Sequence, residues 1–296
     1  MSSTRLQLRN APALRVDLRG ITPAVCAGLS VAQIERLTVT HGNQTLALAE
    51  LFAVTQVANV VASAVGGTVG SAAANATDNA AEKAADELVL TGDLSRFDHI
   101  GWQMAGGAVV VEGHAGDYVG GGMTGGSVHV HGHAGHLAAC EMAGGTLTIA
   151  GNAGDFCAST LPGSMDGMRG GTFIVRGNAG DRFADRMRRG TALVFGNVGD
   201  FLASRMVAGT VAIGGAAGAH VGYGMRRGSV VLAGAPPEVP PTFVPALVDA
   251  AVFWQLVARD LARHGGPFGA LPSRRIARYL GDLGAGGKGE LIAVAD

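Results

Sequence analysis

A methionine returns at a fixed interval through the middle of this chain: Met104, Met123, Met142, Met168, Met187, Met206 and Met225. The spacings are 19, 19, 26, 19, 19 and 19 residues, so the long interval is the same unit with a seven-residue insertion. A period of this size marks a solenoid, in which each repeat packs on its neighbours. The fourth position of the unit is glycine in every copy (Gly107, Gly126, Gly145, Gly171, Gly190, Gly209, Gly228). So is the tenth (Gly113, Gly132, Gly151, Gly177, Gly196, Gly215, Gly234). Glycine in register marks corners that need a positive φ or an approach too close for a β-carbon.

Between the corners the sixth and eighth positions are apolar, as in Val109/Val111, Leu147/Ile149 and Val211/Ile213. That period of two puts them on one face of a strand, while the seventh and ninth positions point the other way. After the second corner, Asp200-Phe201-Leu202-Ala203 and its equivalents read as a further short strand. Two to three strands per unit predict a mainly β chain, a right-handed parallel β-helix of seven coils with the methionines as an internal ladder. Coils at roughly 4.8 Å would stack to about 34 Å. A left-handed β-helix wants an aliphatic residue at every sixth position, and the 19-residue unit does not keep that rhythm.

The flanks divide the chain into residues 1–87, a small α/β cap with an Ala/Gly-rich linker; 88–235, the repeats; and 236–296, a Pro-rich linker, helix and hairpin. In the cap, Leu14–Leu18 and Leu37–Thr40 read as strands, and Ile21-Thr22-Pro23 as a turn. Ser30 is placed to cap a short helix, with Gln33 three residues on. Leu51, Val54, Ala58, Val61 and Val65 have helical spacing, which predicts a helix and then a loop through 55–87. Leu88–Asp93 reads as a degenerate zeroth coil, as a solenoid end requires. Prolines at 236, 237, 240 and 241 end the repeats, and 246–264 reads as an amphipathic helix. Arg274–Leu283 and Glu290–Val294 read as two strands.

Charged residues are 15% of the chain and nearly balanced, which gives nucleic-acid binding little support. The apolar stretch Leu46–Val65 is broken by Glu50, Gln56 and Asn59, so no membrane span is expected. Cys26, Cys140 and Cys157 form no CxxC pair, and the start lacks an apolar signal core; a reducing cytoplasm is the expected compartment.

Three patterns bear on chemistry. His129 and His131 share a strand face and invite a metal reading, with His114 and His133 stacked nearby. Position eleven, however, runs His114, His133, Asn152, Asn178, Asn197, a turn position where these residues tolerate left-handed φ, so no metal site is assigned. Asp117, Asp155, Asp181 and Asp200 form a column interrupted by His136 and Ala219, without a calcium signature, and turn capping is the expected role. Arginine is the third pattern: Arg169, Arg188 and Arg226 at position two, Arg189 and Arg227 at position three, and Arg186 and Arg205 at the preceding corner. These seven predict a basic edge, either an ordinary solvated or partner-facing edge or a docking place for an anionic ligand or partner. No catalytic residue is assigned, since no nucleophile–base pair, GxSxG, HExxH or P-loop is visible.

The repeated Met-x-Gly-Gly units resemble the C-terminal glycine-repeat β-helix domain of the glutamate synthase large subunit. The whole chain is more similar to the C-type subunit of formylmethanofuran dehydrogenase. The residues carrying that resemblance are Ile21-Thr22-Pro23, Gly28-Leu29-Ser30, Gly42-Asn43, Leu51-Phe52-Ala53-Val54, Thr91–Arg96, the insertion before Met168, and above all Arg278–Leu291 with its Gly281-Asp282-Leu283 and Gly287-Lys288-Gly289-Glu290. The Ala-rich 55–87 stretch departs from the family.

The resemblance implies a non-catalytic scaffold subunit of a bacterial formyltransferase/hydrolase complex. Such a complex moves a formyl group between tetrahydromethanopterin and a methanofuran analogue and releases formate. The partners implied are amidohydrolase-like, formyltransferase and dehydrogenase-like subunits, with no cofactor bound by this chain alone. An arginine- and alanine-rich, lysine-poor composition favours this over the alternative, the C-type subunit of a molybdenum/tungsten formylmethanofuran dehydrogenase. A β-helix enzyme acting on an acidic polymer and a metal-binding protein built on the histidines are further alternatives.

Overall fold

The structure is a computed structural model and describes residues 2–58, 86–235, 238–247 and 250–295. The chain opens with β1 (Ser2–Leu8), β2 (Val16–Asp17), α1 (Pro23–Ala27), α2 (Val31–Glu35), β3 (Thr38–His41), β4 (Gln44–Ala47), α3 (Leu48–Leu51) and β5 (Phe52–Ala58). Next come β6 (Glu87–Thr91) and β7 (Phe97–Asp98), then one strand per repeat: β8 (Ala108–Glu112), β9 (Ser127–Val130), β10 (Thr146–Ile149), β11 (Arg169–Val175), β12 (Arg189–Val194), β13 (Thr210–Ile213) and β14 (Arg227–Leu232). After β15 (Val244–Pro245) and α4 (Ala251–Ala262), the chain closes with β16 (Arg275–Gly281) and β17 (Lys288–Ala295). The protein is thus mainly β, built on one 13-stranded mixed sheet in the order β15-β16-β17-β14-β13-β12-β11-β10-β9-β8-β6-β1-β5.

The register of that sheet is the repeat itself. Val109 pairs with Val128, and Val128 with Leu147. Leu147 pairs with Phe173 across the insertion, and Ala192 with Val211, all in parallel. A second ladder of single bridges joins Ala134, Ala153, Ala179, Val198 and Ala217. The sixth- and eighth-position side chains, the seven methionines and these alanines share one buried core that continues from Leu6 in β1 to Leu291 in β17. Each fully buried methionine contributes roughly 1.5–3 kcal/mol of apolar transfer.

Glycine does two different jobs in this register. All seven fourth-position glycines have a positive φ, between +79° at Gly126 and +110° at Gly209. The tenth-position glycines from Gly132 onward instead lie against the preceding unit; a β-carbon on Gly196 would stand 2.3 Å from Asn178 Oδ1 and 2.8 Å from the Gly177 carbonyl.

The stretch after the second corner is not the strand its sequence suggests. Phe201, Ala203 and Arg205 have φ of 59°, 54° and 54°, alternating with residues outside the left-handed region; the units of Tyr118, Leu137, Arg182 and His220 repeat the alternation, and the third unit keeps its first two steps at Phe156 and Ala158. Successive amides therefore point up and down the stack: Phe201 donates to Ala219 O (2.8 Å), Ala203 to Phe183 O (2.8 Å) and Arg205 to Tyr223 O (2.7 Å). The ladder is kept, but without extended backbone.

The ends also differ in part from expectation. The predicted helix from Leu51 is overturned over 52–58. There the chain is β5, antiparallel to β1, with Leu6 opposite Val54. Phe52 and Val54 are both buried, which is period two, and β-branched Val54 and Thr55 suit a strand. Val61, Val65 and the rest of the linker as far as residue 85 lie outside the described residues. The strand predicted at Leu14–Leu18 is only β2, and β1 itself carries no alternation strong enough to read. Ser30 caps α2 as expected, its amide donating to Gln33 Oε1 at 2.9 Å. β6, expected as the zeroth coil, stands as the strand before the repeats, parallel to both β1 and β8. At the other end β17 pairs parallel to β14 as an eighth rung, and β16 folds back on it.

A second core lies on the opposite face of the sheet. Ile174, Leu193, Ala212, Val231 and Ile292 pack there against Trp254, Ala258 and Leu261 of α4 and against Phe268 and Leu271. The same seventh position upstream is half-buried Val110, exposed His129 and half-buried Thr148. The C-terminal segment therefore covers the outer face of the later repeats only.

Candidate functional site

The seven arginines do not form one even edge. Arg186, Arg188, Arg205 and Arg226 converge on a groove of about 430 Å³, walled by Met165 of the insertion and by Gly284-Ala285 of the C-terminal turn. Arg226 also borders an adjoining cavity of about 350 Å³ with Arg227 and Lys288. Arg169 and Arg189 line neither: Arg169 reaches the Glu141 carbonyl at 3.4 Å. Two carboxylates offset the charge. Asp166 pairs with Arg188 at 2.5 Å. Asp185, 3% exposed, takes a bidentate pair from Arg205 (Nε 3.0 Å, Nη2 2.7 Å). Among the described residues Arg186, Arg226, Arg227 and Lys288 have no ion pair. The Arg186 guanidinium instead rests on the Met165 sulfur at 2.6 Å.

Beside this groove, and sharing Arg186 and Arg205 with it, lies a cavity of about 360 Å³. Its other walls are Leu137, Phe156, Thr160, the Arg205-paired Asp185 and the insertion residues 161–164. Leu137 and Phe156 belong to a column that sequence reading missed: position fifteen is His99, Tyr118, Leu137, Phe156, Arg182, Phe201 and His220, each with φ between 56° and 63°. The left-handed backbone turns these side chains toward the flank, where all but buried His99 reach the surface, and several touch down the stack. His99 stacks on Tyr118 at 4.6 Å, Arg182 lies over Phe201 at 4.7 Å and over Phe156 at 5.8 Å, and Phe201 stacks on His220 at 4.7 Å. The available signal was large side chains recurring at intervals of nineteen beside small ones at position seventeen.

The histidines take a structural place. His114 and His133 stack at 4.8 Å, and His129 and His131 meet edge to face at 4.8 Å. Partial desolvation of the otherwise exposed ring lowers the His129 pKa, helped by neighbouring His131 and Arg176. Among the described residues no three metal-ligating side chains converge. Position eleven is not left-handed, contrary to the expectation from its residue types. Its side chain accepts from the backbone of the next unit instead: His133 N to His114 Nδ1 (3.0 Å), Asn152 N to His133 Nδ1 (2.8 Å), Asn197 N to Asn178 Oδ1 (2.7 Å). The aspartate column works the same way, with Asp200 N on Asp181 Oδ1 at 2.8 Å and His136 N on Asp117 Oδ1 at 2.9 Å. These columns cap the neighbouring unit, not their own turn. The cysteines are buried, and burial pushes the Cys26 thiol up to about 11 and those of Cys140 and Cys157 up to about 12, which leaves no thiolate nucleophile at neutral pH.

The chain is thus a repeat-built, mainly β protein with an arginine-lined groove and an adjoining pocket on its flank. No protein-family model matches the chain, and no curated protein does. A solved structure matches 99% of this chain and 100% of its own, with 36% identity and a TM-score of 0.82: the formyltransferase/hydrolase complex (FhcABCD) from Methylorubrum extorquens in complex with methylofuran. The chain belongs to the family of the matched subunit of that formyltransferase/hydrolase complex.

Proposed function

We propose that this chain is the scaffold subunit, the C-type member, of a formyltransferase/hydrolase complex of one-carbon metabolism. The observation that carries the reading is the full-length match, at 36% identity, to a chain of that complex solved with methylofuran. It favours this complex over a molybdenum or tungsten formylmethanofuran dehydrogenase. In this reading the repeats wind as a right-handed parallel β-helix, residues 1–87 and 236–296 form the two ends, and formyl transfer from tetrahydromethanopterin to a methanofuran analogue, with release of formate, takes place on other subunits. The compartment is the cytoplasm; no helix among the described residues is long and apolar enough to cross a membrane.

A scaffold needs rigid walls and surfaces that partners can recognise. The parallel ladders supply the first. The arginine groove supplies a candidate for the second, facing an acidic partner surface or an acidic cofactor tail. Affinity purification of the tagged full chain from its native host is the test. Stoichiometric co-purification with the other subunits, together with formyl-transfer activity in the complex and none in the isolated chain, is the expected result. A chain that travels alone, or turns over substrate alone, overturns the reading.

A further inference from the structure

The insertion around 161–167 occurs in one unit of seven, and it stands between two cavities of different character. On one side are Leu137, Phe156, Leu161 and Pro162, with Asp185, already paired to Arg205, also in the wall; on the other are the guanidinium groups of Arg188 and Arg226, with Arg186 and Arg205 common to both. Phe156 is 41% exposed and Met165 67%, two large apolar side chains at the mouths of adjoining cavities. This cavity of about 360 Å³, mixed in lining but with an apolar wall at Leu137, Phe156 and Leu161, falls in the lower range of ligand pockets, a size for one bulky side chain and its neighbours. The groove beyond it keeps two arginines, Arg186 and Arg226, without ion pairs among the described residues, and continues to Arg227 and Lys288.

We infer that this composite surface seats an extended peptide segment of another subunit of the complex. A bulky apolar residue of the segment enters the pocket at Phe156, and two or more carboxylates beside it lie along the arginine groove. The inference rests on the scaffold reading above and names the partner chemistry of one face. Charge complementarity argues for the occupant: a neutral or basic segment would leave Arg186 and Arg226 desolvated and uncompensated, which is costly, whereas carboxylates would meet planar donors suited to them. The apolar pocket argues against a purely anionic chain, which would leave Leu137, Phe156 and Leu161 bare to water.

The test uses the intact complex carrying full-length chain with a benzophenone-bearing phenylalanine in place of Phe156. Irradiation followed by peptide mass spectrometry should show one segment of another subunit, with a bulky apolar residue within a few positions of at least two carboxylates. The double variant R186E/R226E should lower the cross-link yield about tenfold or more, and Arg259→Glu on α4 should leave it unchanged. If the double variant does not assemble, Arg226→Gln with Arg186→Gln serves in its place. An assembled complex that gives no cross-link, a cross-link to a neutral or basic segment, or capture of a non-peptide polycarboxylate overturns the inference and leaves the scaffold reading standing. Failure of the wild-type chain to join a complex sinks both.

Discussion

The terminal methyl of Met187 sits 3.1 Å from the place where a β-carbon on Gly209 would stand. The same relationship joins Met104 to Gly126, Met142 to Gly171, Met168 to Gly190 and Met206 to Gly228, so the first position of one unit fills the space left by the fourth position of the next. Methionine and glycine recur together because each solves the other's packing problem. Gly209, at φ +110°, adds backbone cost to the clash, and its β-carbon would also meet Gly190 O at 3.1 Å. Gly209→Ala should cost about 2–5 kcal/mol, the sum of left-handed strain and overpacking. Gly163→Ala has a similar φ of +85° with nothing within 4 Å, and should cost only about 1–2 kcal/mol. Equal losses in thermal midpoint for the two variants would show that the methionine contact does not matter.

Position eleven asks only for an acceptor. His133 Nδ1 takes the Asn152 amide, so its proton sits on Nε2, and Asn178 Oδ1 does the same work two units on. His133→Asn should be nearly silent, while His133→Ala should cost about 0.5–1.5 kcal/mol, limited because water can replace the acceptor at this exposed position. Denaturation of both variants checks this, and an Asn variant as damaged as the Ala variant would refute the acceptor role.

Burial of all three thiols makes them reporters of opening. With Cys26, Cys140 and Cys157 at 1%, 0% and 0% exposure, alkylation of the native chain at pH 8 should be slower than that of the denatured chain by orders of magnitude. Rapid labelling of Cys157 in the folded protein would contradict the closed inner core.

His99 gives the cap junction a pH dependence. Its pKa is lowered, first by burial, against the opposing charge of Asp17 and with help from Arg19. Arg19 donates to Nε2 at 2.8 Å, which fixes that nitrogen as an acceptor. The unfolded chain binds the proton more readily, so stability is fully present above about pH 6.5 and is lost as pH falls toward the lowered folded value. His129 and His264 are shifted the same way, each chiefly by partial desolvation. His99→Gln should therefore flatten part, not all, of the stability loss below pH 6.5 in thermal melts across pH; an unchanged slope would remove His99 from the account.

Much of the repeat was legible because packing in register leaves a sequence period. Methionine, the two glycines and the sixth and eighth positions each report a contact made once per unit. What was not legible depends on contacts without a period or on backbone that mimics another state. Phe201, Leu202 and Ala203 look like a strand because side chains alternate, yet the alternation comes from left-handed residues. Leu51, Val54 and Ala58 fit both helix and strand, and only pairing with β1 decides between them. The arginines stood out by position, but the split into a groove and two outliers depends on the insertion and on Gly284-Ala285, about 60 residues downstream of Arg226.

One period was present and unread: the seventh position turns apolar at Ile174, Leu193, Ala212 and Val231. These residues form the floor on which Trp254 of α4 lies, 4% exposed, with its indole N–H donating to Arg274 O at 3.3 Å. Because this outer core contains none of the methionines, its loss should be separable from that of the inner core. Trp254→Ala should cost about 3–5 kcal/mol within the outer layer. Protease should then cleave α4 readily, while amide protection in β8–β10, which α4 does not cover, should persist. Loss of protection in β8–β10 together with α4 would show that the two cores open as one.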